Sequence, residues 1–291
     1  MPLDPKAVGT VAEPYRTTWS SRDALTYALC VGAGVEDLAY TTENTLGLDQ
    51  QVLPTFALVV GHGPESKRPS FGTFGMTKAV HGGQTVTLHK PLPVDGDVTI
   101  VNSVAAIHDK GNDAIVVLDS IATDNLDGTP MFSRQTSLFV RGGGGWGGDR
   151  GPTSGRKLAL EVSPAHEITY VTSPDQALLY RLTGDRTRLH SDPALAAEAG
   201  FQRPILHGLC TYGFTGRALL HALCDGISAR FTHMEGRFSS PVFPGEVLTI
   251  RIWLTAPGEA VFTTTVDDRV VIGQGYCRYM SRSSNAEVVG A

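Results

Sequence analysis

Residues 141–155 read RGGGGWGGDRGPTSG and contain eight glycines, which is the sharpest change of composition in the chain. Glycine gives a connection between domains the backbone freedom it needs. The segment lacks the Gly-Lys-Ser/Thr ending of a phosphate-binding loop. It therefore predicts a linker between an N-terminal unit, residues 1–140, and a C-terminal unit, residues 156–291.

The two units carry similar segments in the same order. A tyrosine-led segment opens each one, YALC at Tyr27 and YRLT at Tyr180. An apolar, helix-like run begins the same distance later, VLPT at Val52 and ILHG at Ile205. Self-similarity over such a long period indicates a duplicated structural unit.

Each unit then becomes rich in predicted strands. The turn segment KPLPVDGDVTI at 90–100 resembles SPVFPGEVLTI at 240–250. After each turn, β-branched residues and alternation predict strands, at 98–106, 114–122 and 131–141 and at 247–254, 260–266 and 270–280. One apolar helix with an antiparallel set of strands in each unit predicts an α+β fold. A short helix is also predicted at 191–200, since Ser191 or Asp192 can cap it.

Composition excludes several classes of function. The 41% hydrophobic and 18% charged residues are typical of a globular protein, and the net charge of −5 with no basic run argues against a nucleic-acid partner. The apolar stretch 204–224 is interrupted by His207, Arg217 and His221, so it predicts a buried helix and not a membrane span. The N-terminal MPLDPKAVGT has no apolar core, so we expect a cytoplasmic protein. The four cysteines show no CxxC spacing, so neither zinc nor disulfides are expected.

Asp185 and His190, in YRLTGDRTRLHSDP at 180–193, are the candidate catalytic pair. A carboxylate and an imidazole are well suited to proton transfer near neutral pH. Five residues apart, they cannot share one helix face, so they must converge through a turn. A turn aspartate and a core histidine would give the same residues. The matching region of the first unit, VGAG at 31–34, lacks such a pair, which indicates that the first unit is non-catalytic and accommodates the substrate.

Several ordered motifs resemble the MaoC-like hydratases, or type 2 (R)-specific enoyl-CoA hydratases, of the two-repeat kind. They are YRLTGDRTRLHSDP at 180–193, FQRPILHGLCTYG at 201–213, PVFPGEVL at 241–248, YALCVGAG at 27–34 and QQVLPTFA at 50–57. The resemblance implies a double hotdog fold, in which each repeat wraps a long central helix in an antiparallel sheet. It also implies a hydro-lyase of lipid metabolism that adds water to trans-2-enoyl-CoA and forms (3R)-3-hydroxyacyl-CoA.

The resemblance also implies roles for individual residues. The family motif G-D-x-N-P-L-H places the catalytic aspartate on Asp185 and the catalytic histidine on His190. The oxyanion-binding glycine falls on Gly208, and His207 and Thr187 are expected with it as oxyanion- or substrate-binding residues. Thr187 and Arg188 replace the family's Asn and Pro, and threonine offers one hydroxyl in place of an amide. Arg188 is interpreted as a solvated charge in preference to a coenzyme A contact, and the remaining histidines are assigned no role.

Three alternatives remain at the level of sequence. The same residues would serve a dehydratase acting on a (3R)-hydroxyacyl thioester, of coenzyme A or of a carrier protein. The altered motif is compatible with a weakened acyl-CoA-binding protein. A thioesterase is less favoured. In every case the partner is an acyl thioester, and no metal or redox cofactor is expected. The resemblance implies either a homodimer or a two-repeat chain that replaces the dimer of single hotdogs.

Overall fold

Ten antiparallel strands form one continuous sheet within the part of the chain that the structure describes. The computed structural model describes residues 3–63, 66–73, 79–152 and 162–281. The strands are β1 Tyr15–Trp19, β2 Ala79–Leu88, β3 Gly96–Asp109, β4 Ala114–Asp124, β5 Pro130–Val140, β6 His166–Val171, β7 Phe231–Phe238, β8 Val247–Ala256, β9 Glu259–Val266 and β10 Arg269–Tyr279.

The strand order reveals two copies of one unit. It runs β1-β3-β4-β5-β2 through the first unit and then β7-β10-β9-β8-β6 through the second, so the second unit, read inward from its outer edge as β6-β8-β9-β10-β7, repeats the order of the first. The pairing of β2 with β7, from Gly83 opposite Arg237 to Thr87 opposite His233, joins the units edge to edge. The predicted duplication and the α+β double hotdog fold are thereby confirmed. All six segments predicted as strands coincide with β3, β4, β5, β8, β9 and β10.

One long helix lies at the centre of the molecule. The helices are α1 Ser21–Cys30, α2 Leu38–Thr41, α3 Gln176–Tyr180, α4 Pro193–Glu198 and α5 Gly208–Cys224. Nearly all of α5 is buried, as expected of a helix that is apolar on every side. A Cβ on Gly213 would lie 2.4 Å from the Val31 side chain, and one on Gly216 would lie 2.5 Å from Thr55. Helix α5 of the second unit therefore packs closely against the first. None of the helices in the described ranges combines the length and the apolar character of a membrane span.

Within the described residues of the first unit, the long central helix that the sequence predicts is not formed. Its apolar run from Val52 forms only a 3-10 turn, Pro54–Leu58. The run contains the β-branched Val59 and Val60 and ends at Gly61, which has φ of +75°, a conformation that stops a helix. A Cβ on Gly61 would lie 2.7 Å from the Ile100 side chain, so the turn is also closely packed. The prediction of a long helix in each repeat is thus wrong for the first.

The glycine-rich segment packs along the end of the β3–β4 hairpin. The N–H groups of Gly145 and Gly147 donate to the Asp109 carboxylate at 3.0 and 2.7 Å. These donors, with the Gly145 bond the strongest influence, lower the pKa of Asp109 to about 2. Trp146 packs on the small core beneath β3 and β4. Residues 153–155 of the predicted linker, and 156–161 and 282–291 of the predicted second unit, lie outside the described residues.

Candidate active site

The segment between α3 and α5 carries the predicted catalytic pair, and we call its residues 181–192 the site loop. Two 3-10 turns, Arg181–Thr183 and Arg188–His190, bend the site loop back on itself. Between them, Gly184 has φ of +120°, which only glycine adopts without strain. A Cβ on Gly184 would also lie 2.8 Å from the His62 carbonyl oxygen. Gly184 therefore allows the site loop to reverse direction against the first unit.

Thr187 holds the carboxylate of Asp185. The backbone N–H and the Oγ1 hydroxyl of Thr187 both donate to Asp185 Oδ1, at 3.0 and 2.7 Å. Burial opposes ionisation of Asp185, but these two bonds, helped by His207 and His190, lower the pKa of the carboxyl. Among the described residues nothing is hydrogen-bonded to Oδ2. Asp185 is therefore ionised at neutral pH and offers Oδ2 to a ligand.

His190 lies near the end of the site loop, with one ring nitrogen hydrogen-bonded and the other free. Its Nδ1 donates to the carbonyl of Ile205 at 2.9 Å, which leaves Nε2 unprotonated in the neutral ring. Burial lowers the pKa of His190, although the bond to Ile205 and the charge of Asp185 oppose this effect. Within the described part of the chain, Nε2 has no hydrogen-bond partner. His190 is thus a neutral imidazole with a basic nitrogen beside a carboxylate.

His207 lies behind the pair. Its side chain is only 1% exposed, its ring stacks on His190 at 3.8 Å between centroids, and its Nε2 donates to the backbone carbonyl of Asp185 at 3.1 Å. Burial and the neighbouring His190 lower the pKa of His207 to about 4. The ring is therefore neutral, and it links the site loop to the residue that precedes α5.

Gly208 is the first residue of α5, directly after His207. The N–H groups in the first turn of a helix have no acceptor within the helix, and the helix dipole favours negative charge at this end. A Cβ on Gly208 would lie 3.3 Å from the Phe238 ring, so this ring packs directly on the glycine. The position suits stabilisation of a developing oxyanion.

The first unit contributes two histidines that sequence reasoning left without a role. The ring of His81, on β2, lies 4.8 Å from that of Phe238, which in turn covers Gly208. Its Nε2 donates to Gly83 O and Gln84 Oε1, each at 3.1 Å. Burial lowers the pKa of His81 to about 4 and that of His62 to about 3, while the charge of Asp185 opposes both shifts. Neither histidine belongs to a motif, so only folding reveals that they face the site.

A cavity of about 230 Å³ adjoins the site loop. Leu182 and Thr183 border it on the side of the second unit. The other lining residues all belong to the first unit, namely Thr17, Thr18, Trp19, Asp23, Thr26, Tyr27, Phe56, Val59, Val60, Gly61, His62 and Gly63. The cavity therefore lies between the units, next to the residues that lead into Asp185.

The side chains of Asp185, His190 and His207 are the one group in the described residues close enough to suggest a metal site, with ligand atoms within 4.8 Å of one another. The two rings are stacked, with 27° between their planes. In stacked rings the nitrogen lone pairs run side by side and do not converge on one ion. The arrangement fits proton transfer better than metal binding.

Arg188, the second departure from the family motif, points away from the catalytic pair. Its side chain is 72% exposed and forms an ion pair with Asp192. Asp192 Oδ1 also accepts from the N–H of Ala194 at 2.9 Å and so caps α4. The predicted helix at 191–200 is confirmed as α4, with Asp192 as its cap. Arg188 thus stabilises the Arg188–His190 turn through a surface ion pair, whereas the family proline would restrict the backbone of that turn.

Comparison with known proteins finds matches over both units. Residues 17–142 match the family model of the MFE-2 hydratase 2 N-terminal domain, and residues 157–273 match that of the MaoC-like domain. A 3-hydroxyacyl-thioester dehydratase of Mycobacterium tuberculosis is 46% identical over 97% of this chain and 100% of its own. A peroxisomal enoyl-CoA hydratase 2 of Arabidopsis thaliana is 36% identical over 87% of each chain. The crystal structure of a MaoC-like dehydratase from Phytophthora capsici, 31% identical, superposes with a TM-score of 0.87 and covers 96% of this chain and 99% of its own.

Proposed function

We propose that this chain, which belongs to the family of MaoC-like dehydratases and hydratase 2 enzymes, is an (R)-specific 2-enoyl-CoA hydratase. It would add water to a trans-2-enoyl-CoA and form the (3R)-3-hydroxyacyl-CoA. The observation that carries the proposal is the convergence of Asp185 and His190, each with one free basic atom, beside the first residue of α5. Membership of the family supports the same reaction.

In the proposed mechanism, one water molecule lies between Asp185 Oδ2 and His190 Nε2. We assign the proton transfer to His190, whose Nε2 is free, because the bonds from Thr187 stabilise the ionised form of Asp185. His190 therefore accepts a proton from water as the oxygen attacks C3. The ionised Asp185 stabilises the resulting imidazolium and orients the water. Return of that proton to C2 completes the addition, and since the same group handles both events, hydroxyl and hydrogen arrive on one face.

The thioester oxygen gains negative charge as C3 is attacked. We assign its stabilisation to the N–H of Gly208, aided by the N-terminal end of α5. Phe238 packs on this position and His81 packs on Phe238. No step in this scheme calls on a metal or a redox cofactor.

Two of the residues expected to bind substrate are better explained as positioning residues. His207 is buried and bonded to the Asp185 backbone, so we assign it the role of holding the site loop against α5. Thr187 is hydrogen-bonded to the Asp185 carboxylate, so we assign it the role of orienting this group and stabilising its ionised form. Gly208 retains the role of oxyanion donor.

The first unit would hold the acyl chain. Apolar side chains of the first unit, among them Trp19, Phe56 and Val60, line the cavity beside the site loop, and they suit a hydrocarbon. The short turn Pro54–Leu58 stands where the second unit has α5, and its Phe56 borders the cavity. All groups invoked in the mechanism come from one chain, so a second copy is not required to complete the site, although a homodimer remains compatible with the proposal.

The reverse reaction is the second candidate function. The same groups would remove water from a (3R)-hydroxyacyl thioester, and a relative that matches 97% of this chain is named a 3-hydroxyacyl-thioester dehydratase. The direction then depends on which thioester the cell supplies. Turnover of matched coenzyme A and carrier-protein thioesters would separate the two roles.

The proposal is tested by following the conjugated enoyl absorbance of trans-2-enoyl-CoA substrates across chain lengths. We expect the absorbance to fall as water adds and the product to have the 3R configuration. Binding without turnover would show that the altered motif is inactive, and release of free thiol would indicate a thioesterase instead.

A further inference from the structure

His62 of the first unit packs directly on the site loop. It follows Gly61, where the chain turns out of the Pro54–Leu58 segment. A Cβ placed on Gly184 would lie 2.8 Å from the carbonyl oxygen of His62 and 3.3 Å from its Cβ. His62 is therefore in van der Waals contact with the residue that immediately precedes Asp185.

The same histidine also borders the cavity between the units. Leu182 and Thr183 of the site loop line that cavity together with His62, and Phe56 and Val59 line it from the first unit. Leu182 and Thr183 come shortly before Asp185, so an acyl chain held in this cavity and reacting at Asp185 would lie beside His62.

His62 is held in place by the turn before it. Arg134, only 7% exposed, donates from Nη1 to the carbonyls of Ala57 and Val60 at 3.1 and 2.8 Å. Burial, with Arg134 and Arg68 nearby, lowers the pKa of His62 to about 3. The ring is consequently neutral at physiological pH and contributes bulk and polarity, not charge.

We propose that His62 is a specificity-determining residue that restricts branching on the acyl carbon next to the reacting double bond. This role rests on the proposed hydratase function, because it concerns which enoyl-CoA reaches Asp185 and His190. His62 lines the cavity and contacts the site loop at Gly184. A smaller side chain there would admit a substituent that the native enzyme rejects.

The test compares two substrates in three variants. Crotonyl-CoA has an unbranched C4, whereas 4-methyl-2-pentenoyl-CoA carries two methyl groups there. For His62→Ala we expect the ratio of kcat/KM, branched over unbranched, to rise by about 10-fold or more, the scale on which an apolar pocket discriminates small groups. His62→Phe refills the volume and should keep the native ratio. His89→Ala, an exposed histidine at the end of β2, is the matched control and should also keep it.

The outcomes separate the two proposals. An active enzyme whose ratio is the same in His62→Ala as in the native protein would overturn the role of His62 alone. A native enzyme that hydrates neither thioester would overturn the hydratase function, and the role of His62 with it. If His62→Ala does not fold, His62→Asn replaces it, because it is smaller than histidine and keeps a polar group, and the same rise in ratio is expected.

Discussion

Replacing Thr187 with valine removes one of the two hydrogen bonds that stabilise the ionised form of Asp185, and it leaves the shape of the side chain at position 187 almost unchanged. The lost bond, from Oγ1 to Asp185 Oδ1, measures 2.7 Å, while the backbone bond at 3.0 Å remains. A hydrogen bond to a charged group contributes about 1.5–3 kcal/mol. Because about 1.4 kcal/mol corresponds to one pKa unit, we expect the pKa of Asp185 to rise by about 1–2 units.

The pKa can be followed by carboxyl-carbon NMR of protein labelled at aspartate, with the Asp185 signal assigned by its loss in Asp185→Asn. Since Asp185 and His190 interact, they titrate as a pair, and the apparent values belong to both. Raising the pKa of Asp185 reduces its ionised fraction in mild acid. In Thr187→Val, kcat/KM should therefore fall further at pH 5 than at pH 8.

Thr187→Ser retains the hydroxyl and is the matched control, while Thr169→Val alters an exposed threonine on β6. Both should titrate like the native protein. A Thr187→Val protein whose Asp185 titrates at the native pKa would refute the role of Thr187 in stabilising the ionised Asp185.

Three further perturbations test the surroundings of the site. Gly184→Ala should destabilise the protein by at least about 1–3 kcal/mol in urea unfolding. The φ of +120° at this position strains any side chain, and His62 occupies the place of the new Cβ. Unchanged stability would contradict the packing of the two units at Gly184. Asp192→Ala should lower the free energy of unfolding by about 1 kcal/mol, because α4 loses its cap. Arg188→Ala should lower it by less, since exposed ion pairs contribute about 0–1 kcal/mol. Equal losses would contradict the assignment of Asp192 as a helix cap and Arg188 as its surface ion-pair partner. The pKa values of His62, His81 and His207 in the folded protein lie below about 6.5, so the unfolded chain binds protons first as pH falls. Protonation of each histidine in the unfolded chain should therefore lower the free energy of unfolding by about 2 kcal/mol between pH 6.5 and 5. The His81→Phe protein should lose less stability over that range than the native protein.

The parts of the fold that could be predicted are those with a regular pattern in the sequence. Strands β3, β4 and β5 and their counterparts β8, β9 and β10 are long and rich in β-branched residues. Strand β2 was missed because it contains Gly82 and Gly83, which weaken the pattern of a strand, even though it joins the two units. Strand β6 was missed because it is a short edge strand that is exposed at every second residue.

The candidate site was only partly predictable for a similar reason. Asp185, His190 and Gly208 occupy motif positions in a continuous segment, so resemblance located them. His62 and His81 lie far away in sequence, and no local spacing connects them to Asp185. The shortened helix of the first unit follows from Gly61 and its contact with Ile100, a tertiary constraint that periodicity does not record.

The most direct test of the account is the rate at which an Asp185→Asn protein hydrates crotonyl-CoA. Asp175→Asn, an exposed aspartate before α3, is the control, and circular dichroism with urea unfolding shows whether each variant is folded. We predict that folded Asp185→Asn loses about 10²- to 10⁴-fold in kcat, the usual contribution of a positioned acid–base group, while Asp175→Asn keeps the native rate and forms the 3R product. A folded Asp185→Asn protein that works at the native rate would contradict the central claim.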